Sequence, residues 1–304
     1  MARVLYIARH GNHDNCDEDA ITYALTKLGH EVRCIPERCP EQALRFQSDM
    51  VLVHKLYGMD VLKRIKTGVK VFWHFDMVES DDWELQARTE ERKQWMKDIL
   101  QLVDLGLCTD GDQVAKDTTG KLRWLMQGAD ERFTGPAPER EQDIGLLFTG
   151  SVIHGGKRIS HIRELQERYG DRFKMVGHHA RERVHGRKLA ELIARAKIVV
   201  APDGPVTPAY WSNRAYLTLG FGGFLFHPYC QGLTEHYEDG EEIVLYQDRV
   251  HFHELVAHYL DRPDERRRIA ENGYKRTMAE HTYFHRCQHI VEMVENVVLT
   301  KERQ

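Results

Sequence analysis

No apolar run in these 304 residues approaches the roughly 20 that span a bilayer, so no membrane-crossing helix is expected. There is no CxxC pair, no HExxH and no Gly-Lys-Ser/Thr phosphate loop, which removes the zinc-ribbon, metalloprotease and Walker-type readings. Charge of one sign is also scarce: 43 Lys and Arg stand against 47 Asp and Glu, a net of -4. That balance excludes a strongly basic nucleic-acid surface over the whole molecule and leaves only a local groove open. The six cysteines, Cys16, Cys34, Cys39, Cys108, Cys230 and Cys287, form no disulfide-like framework. They suit a reducing compartment and read as core fillers. With only a short apolar stretch in the opening MARVLYIARHG, the cytoplasm is the default location.

What is present describes a globular α/β chain. Apolar residues make up 41% and charged residues 30%, and the length suits about two domains. Residues 3–8 predict a strand, followed by the loop Arg9-His-Gly-Asn-His-Asp-Asn15 and a helix capped by Asp17 or Asp19, with Ile21, Leu25 and Leu28 at helical spacing. Strands are predicted at 31–35, 50–54, 69–75 and 105–109, with an amphipathic helix over 85–102. Strand, helix, strand from residue 3 onward implies a doubly wound parallel sheet whose ligand crevice lies at the carboxyl ends of the strands. Gly and Pro interrupt regular structure between Leu122 and Asp143, marking the domain linker.

A second sheet is expected from Ile144. Strands are predicted at 144–150, 173–176, 198–201, 223–226 and 243–246, and helices at 160–169, 186–196, 251–260, 263–281 and 283–299. The stretch from Ala201 to Tyr246 carries the densest functional pattern. A buried strand stops at Pro-Asp-Gly-Pro, Ser212 and Asn213 stand as N-cap residues before a short helix, and Gly220, Gly222 and Gly223 turn the chain into the next strand. A helix start of this kind suits phosphate.

Four stretches together resemble the two-domain glycosyltransferases of the GT-B fold, most closely the "glycosyl transferases group 1" set that includes CgeB-like proteins. They are WLMQGADERFTGP (124–136), LLFTGS with the downstream Lys157-Arg158, WSNRAYLTLGFGGFLFHP (211–228), and HYEDGEEIVLYQD with the following HYLDRPDERRRIAENGYKRTMAEHTYFHR (236–286). The first half resembles the family only in strand order and in Trp73-His-Phe-Asp76. The resemblance implies two Rossmann-like doubly wound domains facing across a cleft. The expected division is an acceptor domain at 1–133, a nucleotide-sugar domain at 134–282, and a final helix at 283–304 that packs back on the first domain.

It also implies sugar transfer from a nucleotide-diphosphate sugar to a hydroxyl acceptor, metal-independent and with retention. No cofactor is expected, the nucleotide sugar acting as co-substrate. The donor-binding set is then Ser151, Lys157, Arg158, His178, Tyr210, Ser212, Asn213, Arg214 and Tyr216. His10, His13, Asp14, His74 and Asp76 are the candidate catalytic groups, since a near-neutral histidine can deprotonate a hydroxyl while a carboxylate fixes its tautomer. Each of these also has a plain structural reading, as a solvated helix start or a hydrogen-bonded loop histidine.

In many retaining members of the family a Glu on the donor helix holds the ribose; the aligned residue here is Leu217. A metal site in HGNHDNC is a competing reading, as His10, His13, Asp14 and Cys16 are all possible ligands. The acceptor stays open between a glycan, a small molecule, a protein and a hydroxymethylated DNA base. A nucleotide-sugar epimerase and a non-catalytic sugar-nucleotide binder share the same fold expectation.

Overall fold

The computed structural model describes residues 1–10, 16–37, 40–54, 59–79, 89–132, 141–151, 156–177, 183–202 and 207–303. The chain divides into two compact units, one made of Met1–Glu79, Arg88–Gln127 and Tyr283–Gln304, the other built on Gly128–Thr282.

The first unit holds a six-stranded sheet in the order β2-β1-β3-β4-β5-β6. Its strands are β1 (Arg3–Ala8), β2 (Glu31–Pro36), β3 (Met50–His54), β4 (Val69–His74), β5 (Leu105–Cys108) and β6 (Leu122–Trp124), and every pairing is parallel. Strands paired in parallel need crossovers, and helices supply them: α1 (Asp17–Lys27), α2 (Met59–Arg64), α3 (Thr89–Leu102) and α4 (Gly111–Ala115). Alternate residues of each strand face opposite layers. Tyr6, Leu52, Val71 and Trp73 join one core with Ile21 and Leu25 of α1, while Leu5, Val51, Val53 and Phe72 join a second with Ile99 and Leu100 of α3. The C-terminal helix lies on the first layer, burying Tyr283, Cys287 and Ile290 there.

The second unit holds β7 (Ile144–Thr149), β8 (Phe173–Val176), β9 (Ala196–Val200), β10 (Leu225–Pro228) and β11 (Val244–Tyr246), in the order β11-β10-β9-β7-β8 and again parallel. From β7 the chain moves to one side to make β8, then returns to make β9 on the other. The strand order therefore reverses between β7 and β9, where a doubly wound sheet opens its crevice. The helices are α5 (Gly156–Tyr169), α6 (Gly186–Arg195), α7 (Arg214–Gly220), α8 (Gln231–Thr234), α9 (Arg249–Tyr259) and α10 (Pro263–Glu280), with α11 (Tyr283–Glu302) belonging to the first unit. Asp248 caps α9 by accepting from His251 N at 2.9 Å, and Pro263 opens α10 with Asp264 and Glu265 in its first turn. Gly273 sits mid-helix in α10 because a Cβ there would collide with the carbonyl oxygen of Glu242.

Several boundaries differ from the sequence reading. Cys16, not Asp17 or Asp19, is the N-cap of α1, and the acidic residues occupy the first turn, where they favour the helix through its dipole. Helix α5 begins at Gly156, four residues before Ser160, because Lys157 and Arg158 already have helical backbone. The short helices α2, α4 and α8 were not anticipated, being too brief for a helical period to register.

Candidate functional site

Two arginines organise the crevice of the second unit. Arg158, in the first turn of α5, donates Nε–H to Pro202 O at 3.0 Å and Nη1–H to Ser151 O at 3.2 Å. Ser151 follows β7 and Pro202 follows β9, so this side chain spans the strand-order reversal. Arg214, the first residue of α7, donates Nε–H to Thr149 O at 2.9 Å and Nη1–H to Ser212 Oγ at 3.2 Å. Its guanidinium carbon lies 5.1 Å from the centroid of the Phe148 ring. These carbonyl and hydroxyl contacts hold each guanidinium in a fixed plane at the end of β7.

Glycine makes this seating possible. Gly150 has φ +141, and a Cβ built on it would lie 2.7 Å from Arg214 Nη2. The loop is tied to its neighbour by Gly150 N donating to Val176 O at 2.9 Å.

The structure thus brings Ser151, Arg158, Ser212 and Arg214 to the carboxyl ends of β7 and β9. Lys157 is exposed in the first turn of α5. Tyr210 lies in the turn that the Thr207–Tyr210 bridge closes, and Cys230 Sγ fastens that turn through the Thr207 carbonyl at 3.2 Å. Asn213 occupies the N-cap of α7 but has helical backbone and makes no side-chain cap bond, so it does not perform the capping role expected of it. Tyr216 is fully buried, and its hydroxyl meets His236 Nδ1 at 3.3 Å among Trp211, Tyr237 and His281. His178 lies outside the described residues. Leu217 is half-buried on α7.

In the first unit, His10 stands at the end of β1 with its ring edge-on to Tyr6 at 5.0 Å and Nε2 3.3 Å from the Tyr6 carbonyl oxygen. A carbonyl only accepts, so the neutral ring carries its proton on Nε2 and presents Nδ1 as the basic nitrogen. Nδ1 is buried and has no hydrogen-bond partner among the described residues. Burial lowers the His10 pKa, opposed in part by the Tyr6 carbonyl and Asp19, so the ring is neutral near pH 7. His74 is buried against Phe72 and Trp95, whereas Asp76 is exposed. His13 and Asp14 lie outside the described residues.

Sequence reasoning missed a buried polar cluster beside His10. Tyr6 Oη and His54 Nδ1 are 3.2 Å apart, and Glu18 Oε1 lies 3.8 Å from the same nitrogen. Tyr283 donates its hydroxyl to Asp17 Oδ1 at 2.6 Å, and Gln127 Nε2 reaches Asp17 Oδ2 at 3.3 Å. Burial, with the charges of Glu18 and Asp17 behind it, pushes the Tyr6 pKa well up and keeps the phenol protonated. No linear spacing signals these contacts, since the partners stand on β1, β3, α1 and α11. Among the described residues no group of three or more His, Cys, Asp and Glu could hold a metal ion. No described helix is long and apolar enough to cross a membrane.

Residues 133–292, just over half of the chain, match a family described as glycosyl transferase-like. No curated protein matches the chain in sequence. Solved structures resemble it throughout its length. Sucrose-phosphate synthase from Thermosynechococcus elongatus superposes with a TM-score of 0.70 at 15% identity, covering 99% of this chain and 100% of that one. The catalytic domain of starch synthase IV from Arabidopsis thaliana, bound to ADP and acarbose, gives 0.69 at 10% identity over 98% and 99%. HepE from Anabaena, in complex with UDP-glucose, gives 0.67 at 10% identity over 97% and 100%.

Proposed function

The chain belongs to the glycosyl transferase-like family and has a GT-B fold, and we propose that it transfers a sugar from a nucleoside-diphosphate sugar to a hydroxyl acceptor. The observation that carries this reading is the seating of Arg158 and Arg214 on the carbonyls of Ser151 and Thr149, two residues apart at the end of β7. When the bond between anomeric carbon and diphosphate breaks, the leaving oxygen gains negative charge. Guanidinium groups fixed in advance stabilise that charge more in the transition state than in the ground state. The side chains that meet the diphosphate are thus arginines, and the proposed reaction needs no bound metal. Structural relatives solved with UDP-glucose and with ADP support the donor class.

His10, whose Nδ1 is buried and whose Nε2 meets the Tyr6 carbonyl, is proposed to shape the acceptor side at the end of β1 rather than to take the acceptor proton directly. Retention, which the sequence resemblance implies, would be read from the anomeric proton coupling of the product. The decisive experiment is a thermal-shift screen of UDP, ADP, GDP and their sugars, because a ligand of the folded state raises the melting temperature. It is followed by an assay of nucleotide release with chelator present. If no nucleotide sugar stabilises the protein, the reading is wrong.

Leu217 favours a second reading, a sugar-nucleotide binder without turnover, since an aliphatic side chain offers the ribose no acceptor. Donor binding with neither transfer nor hydrolysis would select it.

A further inference from the structure

A separate hollow opens at the other, amino-terminal end of the second unit's sheet. Its volume is about 520 Å³, and its wall includes Gly145 of β7, Lys197 of β9, and Arg168, Tyr169 and Arg172 at the end of α5 and just beyond. A smaller hollow of about 400 Å³ lies beside it and shares Arg168 and His253.

A hydrogen-bond chain links the two hollows, Tyr169 and His253 lining the larger and Glu164 and Arg249 the smaller. His253, 8% exposed, has Nε2 2.7 Å from Glu164 Oε1 and Nδ1 2.7 Å from the Tyr169 hydroxyl. A carboxylate only accepts, so Nε2 carries the proton and Nδ1 accepts from Tyr169, which fixes the tyrosine ring in place. The second oxygen of Glu164 accepts from Arg249 Nη1 at 2.8 Å, and Arg249 Nη2 reaches Ser160 Oγ at 2.9 Å.

The charges at the wall are unbalanced. Glu164 is compensated by Arg249, and Asp143 by Arg195. Elsewhere in this unit some basic side chains are paired, Arg132 with Asp130 and Arg276 with Glu280, while others, such as Arg163 and Lys188, have no carboxylate at ion-pair distance among the described residues. Arg168, Arg172 and Lys197 have no carboxylate at ion-pair distance among the described residues, and Arg172 instead lies over the Tyr169 ring at 5.9 Å. Asp261 in the same wall and Glu254 in the smaller hollow are the opposing charges.

We infer that this hollow binds a small phosphorylated metabolite, its phosphate on Arg168, Arg172 and Lys197 and its organic part against Tyr169. Its size falls in the range of small-molecule sites, and three cations without a carboxylate partner beside a tyrosine held by His253 suit a phosphate. The six residues of β7 separate this end from the arginine crevice by roughly 16 Å, so one diphosphate cannot occupy both.

The probe is inorganic pyrophosphate, titrated into the full chain while the His253 ring signal is followed by 1H–13C NMR, assigned with His253→Gln. The expected result is a saturable shift in the unmodified protein and in Arg214→Ala, and at least tenfold weaker binding in Arg168→Ala/Arg172→Ala. Because Arg214→Ala reports on the other crevice, the two readings fail separately. Both arginines are exposed, so the double variant should melt like the parent; if it melts lower, Lys197→Ala repeats the test. No shift at millimolar pyrophosphate, or parent-like binding in Arg168→Ala/Arg172→Ala or in Lys197→Ala, overturns the inference.

Discussion

Arg158 donates Nε–H to the main-chain oxygen of Pro202 at 3.0 Å, a contact between residues 44 apart that bridges the ends of β7 and β9. Removing the side chain should both free the Pro202 carbonyl and take a cation from the crevice. Arg158→Ala is expected to weaken nucleotide-sugar binding by about 1.5–3 kcal/mol, the usual range for a charge-assisted hydrogen bond. Arg158→Lys should restore only part, as a lysine cannot hold two carbonyls in a planar fork. Calorimetric titration with UDP-glucose measures both, and equal affinity in all three proteins would remove Arg158 from the site.

Gly150→Ala tests the same crevice through the backbone. A residue with Cβ is strained at φ +141, and the new carbon would lie 2.7 Å from Arg214 Nη2. The variant should lose roughly 1–3 kcal/mol of stability and should bind donor as poorly as Arg214→Ala. Denaturant unfolding and the same titration report the two effects separately.

Unit 2 should lose stability in mild acid because of His161. Burial, with help from the Arg249 charge, lowers its pKa from 6.5 to about 4. The unfolded chain therefore binds the proton at a higher pH than the folded one does. Stability is complete above pH 6.5 and falls as pH drops toward 4, by up to about 3 kcal/mol from this group. His161→Leu should flatten that slope, as measured by urea unfolding at pH 7 and pH 4.5. An unchanged slope would show that His161 is not the group responsible.

Tyr283→Phe addresses the C-terminal helix. The hydroxyl that donates to Asp17 at 2.6 Å links residues 266 apart, and its loss leaves a half-buried carboxylate short of a donor. A cost of about 1.5–3 kcal/mol is expected. A denaturant midpoint unchanged from the parent would show that water replaces the phenol at no cost.

Much of the fold was legible in the sequence because its central strands are buried on both faces. Runs such as Met50 to Val53 in β3 and Leu146 to Phe148 in β7 are apolar without interruption, so existence and order could be read directly. Of the candidate site, Arg214 was named through the family motif around it and Arg158 as a cation between the glycine-bearing loop and the helix that follows. Their partners were not, because Thr149, Ser151 and Pro202 contribute main-chain oxygens, which no residue type announces. Tyr216 looked available in the sequence, yet its helix turns it into the core.

Composition and hydrophobic period alone determined that this chain forms parallel α/β layers, since the apolar central strands must be covered on both faces and helical segments must connect them. Which side chains meet was decided only by the tertiary structure. Tyr6 with His54, Tyr283 with Asp17, and Tyr169 with His253 and Glu164 are brought together by strand order and by helices returning from distant sequence. Hydrogen bonds act over about 3 Å and depend on direction, so they exist only once the layers are packed, whereas burial of apolar surface needs no particular partner.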